Sequence, residues 1–235
     1  MPSDRRPTQK NPQSNDDADF RVWDSQCWFP PLELAALAAA GVLPANAPVL
    51  DVGCGAGVEI IFLAKRGWPA FGIDKEASLI AKAKTLARQH RAPAEFHHMD
   101  VMRGTQALPA GWPKRYGIVL DRFCINNVMT DEVSEEKYFV TIASLLDTGG
   151  LYILRDRAND DESEATSRRR LFDADDDEKL PDGADDLFEL LPGGRVLDVR
   201  LVGDDTPDWN RLDAMVPIRG QLAVLRKKGD RRARR

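Results

Sequence analysis

The feature that most constrains this chain is a glycine-rich turn between a short apolar strand and a helix. A strand is predicted over 48–52, Gly53, Gly55 and Gly57 follow it, and Val58 to Arg66 reads as a helix. Glycine permits the left-handed backbone of a tight turn, and the first N–H groups of a helix have no partner within the helix. This order predicts a nucleotide-type site beyond the end of the strand.

An acidic residue ends the next predicted strand. That strand runs from Pro69 to Ile73, and Asp74 follows it, 21 residues after Gly53. Such spacing suits a carboxylate that accepts hydrogen bonds from ribose hydroxyls. The loop reads G-x-G-x-G, with Val58 where a dinucleotide site needs a third small residue, and it lacks the Lys-Ser/Thr pair of a P-loop. The pattern therefore disfavours NAD and ATP.

The order of predicted strands and helices indicates the fold class. Seven strands are expected, the first five of them alternating with helices. Beyond those already named, strands are predicted over 94–99, 117–120, 151–154, 195–202 and 221–225, and helices over 32–40, 75–91 and 131–146. This alternation predicts an α/β fold, a doubly wound Rossmann-like sheet of seven mostly parallel strands with helices on both faces.

Composition narrows the functional class. Hydrophobic residues make up 43% of the 235 residues and charged residues 30%, which is ordinary for a globular protein. No run of eighteen apolar residues and no secretory signal occurs, so we expect a cytoplasmic protein without a membrane partner. The net charge of −5 argues against nonspecific nucleic-acid binding. The three cysteines have neither disulfide nor metal spacing, and no metal site is predicted.

Three segments depart from the average composition. Residues 1–19 are polar and rich in proline, and we expect them to be flexible. Residues 156–186 hold thirteen acidic and five basic residues, which predicts a surface excursion, either a solvated loop or a mobile cover. The basic tail 229–235 reads as a frayed terminus, with an RNA-contacting arm as the alternative. Residues 20–228, which include the acidic excursion, are expected to form one domain.

Five segments, taken in order, resemble the motifs of class I S-adenosylmethionine-dependent methyltransferases. They are Val49–Gly57, Gly72–Asp74, His97–Val101, Tyr116–Arg122 and Leu145–Leu154. Within that family the layout is similar to the compact small-molecule enzymes of the thiopurine and tellurite-resistance type, which carry an aromatic segment before the first helix. Arg21–Asp24 matches that segment. The resemblance implies S-adenosylmethionine as the cofactor.

The resemblance also implies a role for each matched residue. The glycine loop would border the methionine part of the cofactor, Asp51 would organise that loop and the cofactor's amino group, and Asp74 would bind the ribose. Asp100 and the Val101 N–H would hold the adenine, and Asp121 would lie near the methionine part and the substrate entrance. Trp23 is expected to fold over the cofactor. The cofactor-binding set is thus Asp51, Gly53, Gly55, Gly57, Asp74, Asp100, Val101, Asp121 and Trp23.

The segment after the fourth strand departs from the family pattern. It reads Asp-Arg-Phe-Cys-Ile-Asn-Asn over 121–127, where related enzymes often have Asp-Arg-Gly followed by Cys and paired histidines. The expected substrate contacts are Trp28, Arg122, Asn126 and Arg155.

Methyl transfer from a sulfonium is an in-line displacement with an excellent leaving group. Alignment and desolvation can therefore suffice, and a general base is needed only for a nucleophile that arrives protonated with a high pKa. The candidate catalytic residues are Asp121 and His98. His97 and His98 are neighbours on a strand and point to opposite faces, so at most one of them faces the site.

The sequence favours an enzyme that methylates an O, N or S atom of a small molecule, acting as a monomer or homodimer. One alternative is a methyltransferase of RNA or protein, although the Asp/Asn-Pro-Pro-aromatic motif for base amines is absent. A third reading is a non-catalytic nucleotide-cofactor-binding protein, which the intact glycine loop and Asp74 disfavour. The sequence leaves small molecules, RNA and protein as alternative methyl acceptors.

Overall fold

The computed structural model describes residues 34, 37, 38, 40–128, 132–157, 184, 186–196 and 220–229. Several expectations fall outside these residues: the polar segment 1–19, the placement of Trp23 and Trp28, nearly all of the acidic segment 156–186, and the tail beyond Gly229. Among the helices that are described, none combines the length and the hydropathy needed to span a membrane.

The described residues contain seven strands in one sheet. The strands are β1 (Val49–Val52), β2 (Ala70–Asp74), β3 (Ala94–His98), β4 (Tyr116–Arg122), β5 (Leu146–Arg157), β6 (Phe188–Val196) and β7 (Gly220–Lys227). Their order across the sheet is β3-β2-β1-β4-β5-β7-β6. The first five strands pair in parallel, whereas β7 runs antiparallel to both β5 and β6. The predicted seven-stranded, mostly parallel sheet is confirmed.

Helices cover both faces of this sheet, as predicted. The helices described are α1 (Val58–Ala64), α2 (Ala77–Gln89), α3 (Ile125–Val128) and α4 (Glu132–Leu145). Side chains of α1 and α2 form one core layer with Val49 of β1, and side chains of α4 form the other with Leu50 and Val52. Neighbours along β1 thus point to opposite layers, as the alternation of a strand requires. Two short 3₁₀ turns, Val101–Arg103 and Thr105–Ala107, stand between β3 and β4 instead of an α-helix.

The sixth strand begins earlier in the chain than the sequence predicted. The expected span was 195–202, whereas β6 begins at Phe188 and is described as far as Val196, and residues 197–202 lie outside the described residues. Its register with β7 shifts between Leu190 and Arg195. The residues inside the shift include Pro192 and two glycines. Proline has no N–H for the ladder, and glycine has no side chain to pack. These residues disfavour a strand in the sequence, which is why the first part of β6 was not predicted.

A buried carboxylate connects β4, β5 and α4. Oδ1 of Asp121 accepts the backbone N–H groups of Cys124 (2.9 Å) and Ile125 (3.3 Å). Oδ2 accepts the hydroxyls of Tyr138 on α4 (2.6 Å) and Tyr152 on β5 (2.7 Å). The side chain of Asp121 is 1% exposed, and burial raises its pKa to about 6 although the four hydrogen bonds oppose the change.

The titration of Asp121 should be visible in the stability of the protein. Its pKa in the folded protein, about 6, exceeds the ordinary value of 3.8. Between those two pH values the folded protein keeps a proton that the unfolded chain has released, so the free energy of unfolding falls as pH rises through the window. Asp121→Asn removes this titration. We expect the stability of wild type relative to Asp121→Asn, from urea unfolding, to fall by on the order of 3 kcal/mol from about pH 4 to about pH 7. A difference that stays constant with pH would contradict the assignment.

Candidate cofactor-binding site

The glycine loop between β1 and α1 has a backbone that other residues rarely adopt. The φ angles are +68° at Gly53, +53° at Gly55 and +79° at Gly57. A Cβ built on Gly57 would lie 2.4 Å from the ring of Phe96, and one built on Gly53 would lie 2.7 Å from Cβ of Cys124. The loop therefore needs glycine both for its conformation and for its close packing against its neighbours.

Asp74, at the end of β2, holds this loop in place. Its Oδ2 accepts the N–H of Gly55 at 2.9 Å, and its Oδ1 accepts the N–H of Glu76 at 2.8 Å. Because each carboxylate oxygen has two lone pairs, the group keeps acceptor capacity for ligand hydroxyls. Asp74 is thus both a support of the loop and a wall of the cavity beside it.

A cavity of about 170 Å³ opens at the carboxyl ends of β1, β2, β3 and β4. It brings together five residues that the sequence analysis proposed for the site, namely Gly53, Asp74, Asp100, Val101 and Arg122. Seven further residues line it that the sequence analysis had not singled out: Lys75, Glu76, Leu79, Met99, Cys124, Asn127 and Val128. All seven lie within six residues of a strand end. Proximity to a strand end in a parallel sheet was the signal available for them.

The segment after β3, Met99 to Val101, forms another part of the cavity wall. Oδ1 of Asp100 accepts the N–H of Met102 at 2.9 Å and so caps the first 3₁₀ turn. The side chain of Asp100 is exposed and Val101 is buried. The segment therefore presents a fixed carboxylate and an adjacent backbone to a ligand in the cavity.

Asp51 lies on β1, directly beneath the glycine loop. It is 2% exposed, and within the described part of the chain no hydrogen-bond partner reaches its Oδ1. Burial raises its pKa well above the ordinary value, the negative charges of Glu59, Asp121 and Asp74 add to this effect, and Arg122 opposes it. A buried carboxylate oxygen with acceptor capacity fits a ligand that carries an ammonium group, as the methionine part of the expected cofactor does.

Two arginines flank the turn after β4. Nη1 of Arg122 contacts Oε1 of Glu59 at 2.5 Å. The guanidinium carbons of Arg122 and Arg155 lie 5.7 and 5.6 Å from the ring centre of Phe123, within the range of cation–π attraction. Phe123 has φ +65°, a left-handed conformation that glycine adopts more readily than a residue with a side chain. Arg155 is buried and does not line the cavity.

The remaining candidates are placed as follows. His98 is exposed, with Nε2 2.9 Å from the carbonyl oxygen of Lys75, and it lies outside the cavity lining. Asp121 is enclosed by its four donors and does not reach the cavity either. The backbone of Asn126 lies in α3, and its side chain is outside the described atoms, whereas the neighbouring Asn127 lines the cavity. Across the described residues, no cluster of three His, Cys, Asp or Glu side chains could hold a metal ion.

Comparison with known proteins agrees with this geometry. Residues 49–150 match the family model described as a methyltransferase domain. The chain is 37% identical over 72 residues to carboxy-S-adenosyl-L-methionine synthase of Campylobacter jejuni, which covers 30% of this chain and 31% of that protein. The chain therefore spans about a third of the length of these curated relatives.

Solved structures show the same fold over most of the chain. The CcbJ methyltransferase of Streptomyces caelestis superposes with a TM-score of 0.59 at 18% identity, covering 90% of this chain and 96% of that one. The magnesium protoporphyrin IX methyltransferase of Synechocystis, solved with S-adenosylmethionine bound, gives a TM-score of 0.53 at 19% identity and covers 94% and 87%. With the glycine loop and Asp74 at the predicted edge of the sheet, the match of residues 49–150 to a methyltransferase domain and the shared fold confirm the resemblance to class I S-adenosylmethionine-dependent methyltransferases.

Proposed function

We propose that the protein transfers the methyl group of S-adenosylmethionine to a small-molecule acceptor. The observation that carries this proposal is one cavity at which the glycine loop, Asp74 and Asp100 meet. The small-molecule part of the proposal is supported by the segment after β4, which reads Asp-Arg-Phe-Cys over 121–124 instead of the Asp/Asn-Pro-Pro-aromatic motif for base amines. The structurally similar Synechocystis enzyme is named for magnesium protoporphyrin IX, which is also a small molecule. We place the reaction in the cytoplasm and without a nucleic-acid partner.

The residues around the cavity suit the parts of this cofactor. Asp74 would accept hydrogen bonds from the ribose hydroxyls, and Asp100 and the Val101 N–H would hold the adenine edge. Asp51 would attract the ammonium group from beneath the loop. When bound, S-adenosylmethionine supplies a methyl group on a positively charged sulfur, which is already activated for displacement.

The contribution of the chain to the chemical step is then alignment and exclusion of water. His98 is directed to the carbonyl of Lys75 and Asp121 to its four donors, so neither is placed to take a proton from a substrate in the cavity. Holding the acceptor in line with the methyl group lowers the barrier without a general base. Cys124, Asn127 and Val128 line the cavity after β4, where the resemblance implies the substrate entrance.

The cofactor assignment predicts a specific loss in Asp74→Ala. A hydrogen bond to a charged group contributes about 1.5–3 kcal/mol, so we expect the Kd for S-adenosylmethionine, measured by calorimetry, to rise about 10- to 100-fold. Asp147→Ala is the matched control, because Asp147 is exposed and lies outside the cavity. Binding of NAD by wild type with no response to S-adenosylmethionine would overturn the assignment.

We expect Asp51→Asn to stabilise the fold and to weaken the binding of the cofactor. The substitution removes a buried carboxyl group whose ionisation is opposed by burial and by the carboxylates around it, so we expect the midpoint of thermal unfolding at neutral pH to rise by several degrees. The same change removes the partner of the cofactor's ammonium group, and we expect the Kd for S-adenosylmethionine to rise about tenfold. Unchanged affinity in the stabilised variant would show that Asp51 has no part in binding.

The size of the acceptor can be tested without knowing its identity. Wild-type protein and methyl-labelled S-adenosylmethionine are incubated separately with the metabolites, the RNA and the proteins of a cell extract. We expect label in the metabolite fraction, and Asp74→Ala should reduce it about tenfold or more at subsaturating cofactor. Label confined to the RNA or the protein fraction would contradict the small-molecule proposal and support the alternative acceptor.

A further inference from the structure

The turn that follows β4, residues Phe123–Val128, forms one wall of the cavity and packs tightly against the glycine loop. Cys124, Asn127 and Val128 of this turn line the cavity. A Cβ built on Gly53 would lie 2.7 Å from Cβ and 2.8 Å from Sγ of Cys124, which leaves no room between the two segments. A displacement of the turn would therefore change the shape of the cavity where the loop borders it.

This turn cannot hold its own position. Its helix α3 has four residues, too few for a helix to be stable by itself. Phe123, at its start, adopts the left-handed conformation, which is unfavourable for a residue with a side chain. The position of the turn must come from contacts with the rest of the fold. One such contact is the hydrogen bond that the N–H of Phe123 donates to the carbonyl of Arg155 at 3.0 Å.

A second contact is the carboxylate of Asp121. Its Oδ1 accepts both the Cys124 and the Ile125 N–H groups, at the first residues of the turn. That oxygen can face both donors only while the carboxylate keeps one rotation. The rotation is fixed through Oδ2, because the hydroxyls of Tyr138 and Tyr152 approach it from two different elements.

None of these three side chains touches the cavity. Asp121 is 1% exposed, and both tyrosines are fully buried in the core layer on the α4 side of the sheet. Any effect they have on a ligand must therefore pass through the turn. The charged and titratable groups around Asp121 are the two tyrosines and Cys124, with Asp51 on the neighbouring β1.

We infer that Asp121, oriented by Tyr138 and Tyr152, is a positioning residue for methyl-donor binding, which fixes the Cys124–Val128 wall against the glycine loop. The inference rests on the cofactor part of the proposed function and is independent of the acceptor. It makes the affinity for the cofactor depend on two hydroxyl groups that lie on the far side of the wall from the ligand.

The test uses the full chain with Tyr138→Phe and Tyr152→Phe, singly and together. Tyr116→Phe is the matched control, since Tyr116 is equally buried and no hydrogen-bond partner for its hydroxyl lies among the described residues. Three quantities are measured below the unfolding temperature of every variant. They are the Kd for S-adenosylmethionine, the exchange rates of the Cys124 and Ile125 amides, and the rate at which N-ethylmaleimide modifies Cys124, located by mass spectrometry.

We expect each single variant to raise the Kd about fivefold and the double variant more, with faster amide exchange at Cys124 and Ile125. Modification of Cys124 should accelerate several-fold in Tyr152→Phe, because burial raises the pKa of this thiol in wild type and a loosened wall would expose it. Tyr138 also hydrogen-bonds the thiol itself, so for Tyr138→Phe the amide exchange rates and the Kd are the deciding quantities. Tyr116→Phe should leave all three quantities within about twofold of wild type. If only the double variant fails to fold, the single variants decide the question.

A purely structural role would lower the unfolding temperature of the tyrosine variants without changing the Kd, the amide exchange or the cysteine modification of the folded protein. That result would overturn the inference. Failure of wild type to bind S-adenosylmethionine would overturn the cofactor assignment instead. In that case the exchange and modification rates would still show whether the tyrosines hold the turn.

Discussion

The site depends on a contact that only glycine permits, between Gly53 after β1 and Cys124 after β4. The two strands are parallel neighbours, with Val52 opposite Asp121, so both chains leave the sheet at the same edge. From this point the strand order runs outward to β3 on one side and through β5 on the other. A crevice forms at such a switch point because the two connections turn to opposite faces. The cavity is therefore a consequence of topology. The Gly53–Cys124 contact fixes the distance between the two segments that line it after β1 and β4.

Acidic side chains are concentrated at this edge at a cost in stability. Asp51, Asp74 and Asp121 stand at or near the ends of three adjacent strands, and all three are buried. Two of them are satisfied by hydrogen bonds from backbone or tyrosine donors, whereas Asp51 keeps one oxygen that no described group reaches. A fold selected for stability alone would replace such a group with an apolar side chain. Its presence is understandable where a cationic ligand has to be attracted.

Much of the fold follows from local patterns in the sequence, and part of the site does as well. The apolar strands, the three glycines and Asp74 are adjacent in sequence to the features that they produce, so periodicity and spacing were enough to place them. The partners of Asp121 were not predictable in this way, because Tyr138 and Tyr152 lie 17 and 31 residues along the chain and only packing brings them together. The direction of the His98 ring toward Lys75, and the shifted register of β6, likewise depend on tertiary contacts.

The placement of β7 has a consequence for how the chain is made. Although it is the last strand in sequence, it lies inside the sheet, between β5 and β6. Among the described strands, β5 therefore has an unpaired edge and β6 has no pairing partner during synthesis until residues 220–227 have left the ribosome. The cavity-lining residues that the structure describes all lie between 53 and 128 and are translated well before that moment. The nascent protein thus acquires the walls of its cavity while its sheet still exposes unpaired backbone, which is the form in which a stalled or truncated chain would be most prone to aggregate.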